Sequence, residues 1–147
     1  MKKIYAPPVE PHTWFEAFET PEERALRAEV REFAWANFEH QRDECDAKFR
    51  CKHLLPLVPE KGYLATVVAK EHGGEGQSLS TSVIIAQEMG GVIPSLAAYR
   101  AVNGNFVSKP LEEFGTPEQI DRFLRPLCAA EYTTALAISE PTAGSVV

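Results

Sequence analysis

The amino-acid sequence predicts an all-α fold: a bundle of about five helices, ending in one strand. Three observations carry this expectation. Thr20-Pro21-Glu22-Glu23 and Thr116-Pro117-Glu118-Gln119 both have the residues of a capping box with proline at the first helical position. The apolar residues after each box recur at helical spacing. Only "YTTALAIS", residues 132–139, has the Thr, Tyr and Ile content of a strand. A lone strand has no partner, so the chain is expected to cross into a β-rich domain that is otherwise missing.

The elements follow in order. Residues 1–19 contain Pro7, Pro8 and Pro11 and read as an extended arm, expected to pack down through Trp14, Phe15 and Phe18. A helix is predicted over 21–40, because Leu26, Val30, Phe33, Ala34 and Phe38 make one apolar face. Arg24, Arg27, Glu29, Arg31 and Glu32 are expected to form its solvated side. Residues 41–53 are polar and give no clear signal. "LLPLVPEKG" can be a short helix only if Pro56 and Pro59 fall in its first turn, with Gly62 ending it. "YLATVVAKEHGGEGQS" reads as a brief apolar segment and a Gly-rich turn.

"STSVIIAQEMGG" predicts a helix that stops at its paired glycines. "PSLAAYRAVNGNFVSKPLEEFG" predicts another, from Pro94 to Gly115, kinked at Pro110. The second capping box opens a helix through Ile120, Phe123, Leu124 and Leu127, which Pro126 limits to about three turns.

Composition narrows the function classes. The chain has 147 residues, enough to bury roughly 68–70% of its unfolded surface in one core. A net charge of −6 argues against nucleic acid or an anionic membrane as a partner. The seven Lys and Arg residues from Arg24 to Lys52 are interleaved with acids and form no basic block. Cys45, Cys51 and Cys128 make no Cys-x-x-Cys pair, which fits reduced thiols in a cytoplasmic protein better than zinc. The N-terminus has no apolar stretch after Lys2 and Lys3, so no signal peptide is expected. No run reaches the ~20 apolar residues of a membrane span.

No catalytic residue is assigned. His12, His40, His53 and His72 are scattered without ligand spacing, so no metal site is expected. Ser139 and Ser145 have no local histidine motif to activate them. "HGGEGQS" fits no dinucleotide or phosphate-loop pattern and reads as an interhelix turn. Tyr99, Val102 and Phe106 lie at i, i+3 and i+7, which suits either core packing or the wall of an apolar cavity. Gly144 and Ser145 follow a Glu-Pro turn, and their amides can face an anion or a polar ring edge.

"EFGTPEQIDRFLRPLCAAEYTTALAISEPTAGS" resembles the join between the N-terminal helical domain and the middle β domain of acyl-CoA dehydrogenases. These carry Phe-Gly-Thr-x-x-Gln-x-x-x-x-Leu-x-Pro-Leu and then Thr/Ser-Glu-Pro-x-Ala-Gly-Ser-Asp. Upstream, "EHGGEGQS" and "AQEMGG" are similar to two further family segments in the same order. The resemblance divides the chain into an arm (1–19), a helical domain (20–130) and the start of the middle β domain (131–147).

The resemblance implies an FAD-dependent enzyme that oxidises an acyl-CoA thioester to the enoyl-CoA. It also implies reoxidation by an electron-transfer partner and homo-oligomeric assembly. It implies FAD contacts at Leu136, Ile138, Ser139, Gly144 and Ser145, and substrate contacts at Tyr99, Val102, Phe106 and Ser145. Glu140 matches the family's turn Glu and is not the base. Val146 stands where the family has Asp. The family's catalytic Glu lies beyond residue 147, so the chain reads as truncated and inactive alone. Two other readings remain. One is a flavin monooxygenase or nitroalkane-oxidase-like enzyme on the same scaffold. The other is a non-enzymatic helical interaction module or split-enzyme subunit.

Overall fold

A computed structural model describes residues 18–48, 52–141 and 144. Among these residues the fold is helical, as the sequence predicts. The chain divides into two compact units, Met1–Leu55 with Ser78–Tyr99, and Pro56–Gln77 with Arg100–Val147.

In the first unit, helix α1 spans Pro21–Phe38. Its capping box is formed as expected: Thr20 Oγ1 accepts the Glu23 amide at 3.2 Å, and Glu23 Oε2 accepts the Thr20 amide at 2.9 Å. Val30, Ala34 and Phe38 are buried on one stripe. That stripe packs on helix α4, Leu79–Val92, which buries Ile84, Ile85, Met89 and Val92. A short helix α2, Arg42–Lys48, follows α1 after a single 3₁₀ turn, Glu39–Gln41.

Arg27 departs from the expected solvated face, being only 8% exposed. Helix α4 supplies its acceptors. Arg27 reaches Glu88 Oε1 at 2.7 Å and Gln87 Oε1 at 2.9 Å, with Glu19 bonded to the same guanidinium. Arg31 Nε binds the other Glu88 oxygen at 2.8 Å. Phe18 is a second departure: it is 84% exposed and does not pack down. Trp14, Phe15 and Cys51 lie outside the described residues.

Helix α4 does not stop at Gly90-Gly91. It runs to Val92, and Ile93 leaves the helix with φ −131° and ψ 95°. The residue before a proline is pushed out of the helical region by the ring, so Pro94 ends α4 and the glycines do not. Pro94 also opens helix α5, Pro94–Ala101.

In the second unit, helix α3 is Leu57–Glu60, with Pro56 at its N-cap. Gly62 closes it in the left-handed conformation, φ 72°, with its amide bonded to Pro59 O and that of Tyr63 to Val58 O. Helix α6, Ser108–Phe114, ends at Gly115. Helix α7, Pro117–Gln119, starts on the second capping box, where Thr116 and Gln119 exchange hydrogen bonds at 2.8 and 3.3 Å. Helix α8, Arg125–Cys128, completes that rod. Its core is Ala65, Val68, Leu124 and Cys128, with Leu111 and Ile120 against it.

Among the described residues two stretches are π-helical: Val102–Val107 between α5 and α6, and Ile120–Leu124 between α7 and α8. Each contains the residue four before a proline, Phe106 before Pro110 and Arg122 before Pro126. A proline ring clashes with that carbonyl and offers no N–H to it. Widening the turn relieves both problems, so the disturbance expected as a kink at Pro110 takes the form of a π turn upstream.

Residues 133–139 have no regular secondary structure, and Glu140 forms only an isolated bridge. The segment expected as a strand therefore forms none among the described residues. A strand needs a neighbour to exchange hydrogen bonds with, and no neighbouring strand is described.

Candidate functional site

The candidate site is built within the second unit, where the π turn Val102–Val107 meets the segment after α8. Asn103 is 1% exposed on that turn. Its Oδ1 accepts the Thr134 amide at 2.8 Å and the Thr134 hydroxyl at 3.0 Å. Gly104, next to it, is buried against the 63–66 loop. A Cβ there would lie 2.0 Å from the Leu64 carbonyl oxygen, so only glycine allows the approach.

The loop on that side is itself held by Arg100. This guanidinium is fully buried, donating from Nε to Tyr63 O and from Nη2 to Thr66 Oγ1 at 2.8 Å. Burial lowers its pKa to about 10, so it stays charged at neutral pH.

The Gly-rich turn is fastened in the same way. The amides of Gly74, Glu75, Gly76 and Gln77 donate to Ala69 O, Ala65 O, Val68 O and Thr66 O, at 2.7–3.1 Å. Amides turned inward onto carbonyls cannot cradle a phosphate, which supports the reading of "HGGEGQS" as a turn. Glu112 of α6 ties the turn down. It accepts the Ala69 amide at 2.6 Å, lies 3.4 Å from His72 Nδ1 and pairs with Lys109. Burial raises the Glu112 pKa, but the Lys109 and Ala69 hydrogen bonds outweigh this and hold it below the ordinary 4.5. Cys128, buried nearby, has its thiol pushed up to about 11, mainly by desolvation. Among the described residues, no group of three or more His, Cys, Asp or Glu side chains is placed to hold a metal ion.

The expected site residues are distributed as follows. Leu136 and Ile138 are 47% and 60% exposed, and Ser139 and Gly144 are exposed. Ser145 lies outside the described residues. Val102 and Phe106 share the π turn with Asn103; Val102 is half-buried and Phe106 is 57% exposed. Tyr99, half-buried on α5, belongs to the first unit. The change of helical pitch at Val102 means that Tyr99, Val102 and Phe106 do not follow one regular i, i+3, i+7 stripe.

Asn103 therefore joins the π turn carrying Val102 and Phe106 to the segment carrying Leu136 and Ile138. Sequence reasoning missed it. Its one signal is an Asn-Gly pair inside an otherwise apolar helical run, followed by a proline.

The architecture is that of a helical domain continuing into an exposed apolar segment. The profile described as "Acyl-CoA dehydrogenase, N-terminal domain" matches residues 20–131. The chain is 30% identical over 130 residues to the 3-(aryl)acrylate reductase of Clostridium sporogenes, covering 87% of this chain and 34% of that one. It is 30% identical over 142 residues to the mitochondrial short/branched chain specific acyl-CoA dehydrogenase of Bos taurus, covering 95% and 31%. The crystal structure of a Bacillus anthracis acyl-CoA dehydrogenase complexed with FAD superposes with a TM-score of 0.75 at 25% identity, covering 88% and 22%. The chain belongs to the acyl-CoA dehydrogenase family. It spans about a third of the length of the curated relatives it matches.

Proposed function

We propose that the chain supplies the N-terminal helical domain, residues 20–130, of an FAD-dependent acyl-CoA dehydrogenase, and that residues 131–147 open its β domain. The observation that carries this reading is the segment Ala135–Ile138, a few residues beyond the family match, which ends at residue 131. Leu136 and Ile138 are exposed there. Among the described residues no hydrogen bond engages the backbone of 135–138. An apolar surface whose amides and carbonyls have no hydrogen-bond partner among the described residues fits a flat heterocycle with a polar edge.

In this reading Leu136 and Ile138 cover the face of the isoalloxazine, and the Ser139 hydroxyl reaches its polar edge. Gly144 and Ser145 approach the cofactor, and Ser145 also meets the substrate. Tyr99, Val102 and Phe106 contribute to the acyl-chain wall. Bound FAD supplies the acceptor for a hydride, that is, one proton and two electrons. No carboxylate of this chain is assigned as the base that removes the substrate proton. The 147-residue chain alone is therefore expected to show no turnover with acyl-CoA, FAD and an artificial acceptor.

The C. sporogenes relative is named a reductase. This favours a second reading, in which the same chemistry runs from unsaturated to saturated acyl group. One experiment addresses both. The natural protein is purified, its flavin spectrum is recorded, and acyl-CoA thioesters are added to the oxidised form. Bleaching of the flavin band with formation of enoyl-CoA is expected for the dehydrogenase. Reoxidation of the reduced form by an unsaturated acid or thioester, without bleaching by any saturated one, selects the reductase. A colourless protein sinks both.

A further inference from the structure

We infer that Asn103 is a positioning residue, which sets where Leu136 and Ile138 sit by fixing Thr134 from a π turn. Three features converge on it. Its side chain is buried, so its orientation is held by the protein. One oxygen, Oδ1, takes both donors of a single residue, the Thr134 amide and hydroxyl, at 2.8 and 3.0 Å. Neighbouring Gly104 is seated without clearance on the Leu64 carbonyl, so the turn that presents the oxygen cannot shift toward the 63–66 loop.

The consequence follows from chain length. Successive residues advance at most about 3.3–3.6 Å, which confines Leu136 to within roughly 7 Å of the anchor and Ile138 to within roughly 14 Å. If the segment pairs with another strand, fixing Thr134 also fixes register. A slip of one residue would exchange Leu136 and Ile138 for their neighbours on the opposite face. Pro110 enters indirectly. By imposing the wide turn it determines the direction in which Asn103 points. The anchor stands on the geometry alone, while its role toward a flavin rests on the function proposed above.

The test has two arms. Amide hydrogen exchange is measured on the 147-residue chain and on the Asn103→Ala, Asn103→Asp and Thr134→Val variants. The Thr134 amide should exchange at least about tenfold faster in Asn103→Ala. In Asn103→Asp, which keeps the acceptor oxygen, it should stay protected. Amides of α1 should not change in either. Thr134→Val leaves the helical side intact and removes only the hydroxyl bond. It should speed exchange at position 134 by about threefold, and it serves if Asn103→Ala does not fold. A Thr134 amide that exchanges as fast as that of Ala137 in the unaltered chain overturns the anchor.

In the second arm the natural protein carries the same changes, and FAD retention on dilution is followed by flavin fluorescence. Loss at least about tenfold greater for Asn103→Ala, with retention restored in Asn103→Asp, is expected. Altered exchange with unaltered retention overturns the positioning role and leaves the proposed function standing. An unaltered protein without flavin overturns the function, and the anchor is then judged by exchange alone.

Discussion

Ala130 has a left-handed backbone, φ 58°, at the end of α8. Its amide bonds to Leu127 O and that of Glu131 to Pro126 O, the same closure that Gly62 makes after α3. An L side chain in this conformation costs roughly 1–2 kcal/mol, which glycine avoids. Ala130→Gly is therefore expected to stabilise the chain by about 1 kcal/mol, read as a higher denaturation midpoint with unchanged slope. Gly62→Ala should move the midpoint the other way, and further, because its Cβ would also meet Glu75 Cδ at 2.9 Å.

Glu88 is the second residue with a defined consequence. Burial raises its pKa, but hydrogen bonds from Arg31 and Arg27 outweigh this and hold it below 4.5. A carboxylate with a depressed folded pKa adds stability above its unfolded value, and that stability disappears as pH falls through the folded one. Unfolding free energy should thus decline as pH falls below about 4.5. Glu88→Gln should flatten that decline. At neutral pH it should cost about 2 kcal/mol, because the negative charge and one of the two oxygens shared by Arg27 and Arg31 are lost, while Arg27 keeps Glu19 and Gln87. A pH–stability curve that Glu88→Gln leaves unchanged in shape would assign the acid loss elsewhere.

Elements differ in how far they can be read from sequence, according to the range of the forces that make them. Both capping boxes are legible because a Thr hydroxyl and an acid or amide three residues later satisfy each other locally. The end of α4 was misplaced because paired glycines resemble a stop. Gly91 has open space around its missing Cβ, and the chain turns only where Pro94 forces it. The strand expected at 132–139 depends on a partner that local composition cannot supply. The π turns are invisible to periodicity because the reading assumes one constant pitch. The same assumption hid Asn103, since an Asn-Gly pair reads as a break rather than a buried acceptor. Leu136 and Ile138 entered through family resemblance, with no local physical signal for a ligand, whereas Ser139 carried only the generic signal of a hydroxyl at a strand end.

The explanation of the π turns gives a prediction at this scale. Pro110→Ala restores an amide that can bond to the Phe106 carbonyl and removes the ring that opposed it. The 102–110 stretch should relax toward regular α-helix, seen as altered Cα chemical shifts and a newly protected amide at position 110. Because Asn103 would rotate with the turn, the Thr134 amide should lose protection in the same variant. Unchanged shifts across 102–107 would mean that packing of Gly104 on Leu64, not the proline, holds the turn open.

For the whole molecule the balance is between apolar exposure and charge. Isolated exposed apolar residues are ordinary. The second unit, however, exposes Phe106, Phe114, Phe123, Leu136 and Ile138 together, with Phe114 at 78%. Surfaces of this kind favour association when they become contiguous. A net charge of −6 opposes it, because every copy carries the same sign. Salt shortens the range of that repulsion, from about 30 Å at 0.01 M to about 8 Å at 0.15 M, and leaves the apolar attraction intact. The isolated chain should therefore be closest to monomeric at low ionic strength and should associate as salt is raised. Light scattering across a salt series at fixed protein concentration reads this directly. Phe114→Lys should weaken the association by removing the most exposed of the five apolar side chains. It also reduces the magnitude of the net negative charge, which acts in the opposite direction, so Phe114→Ser, which leaves the charge unaltered, isolates the apolar contribution. A mass that stays monomeric at every salt concentration, or that falls as salt rises, would show that these aromatic residues do not drive association.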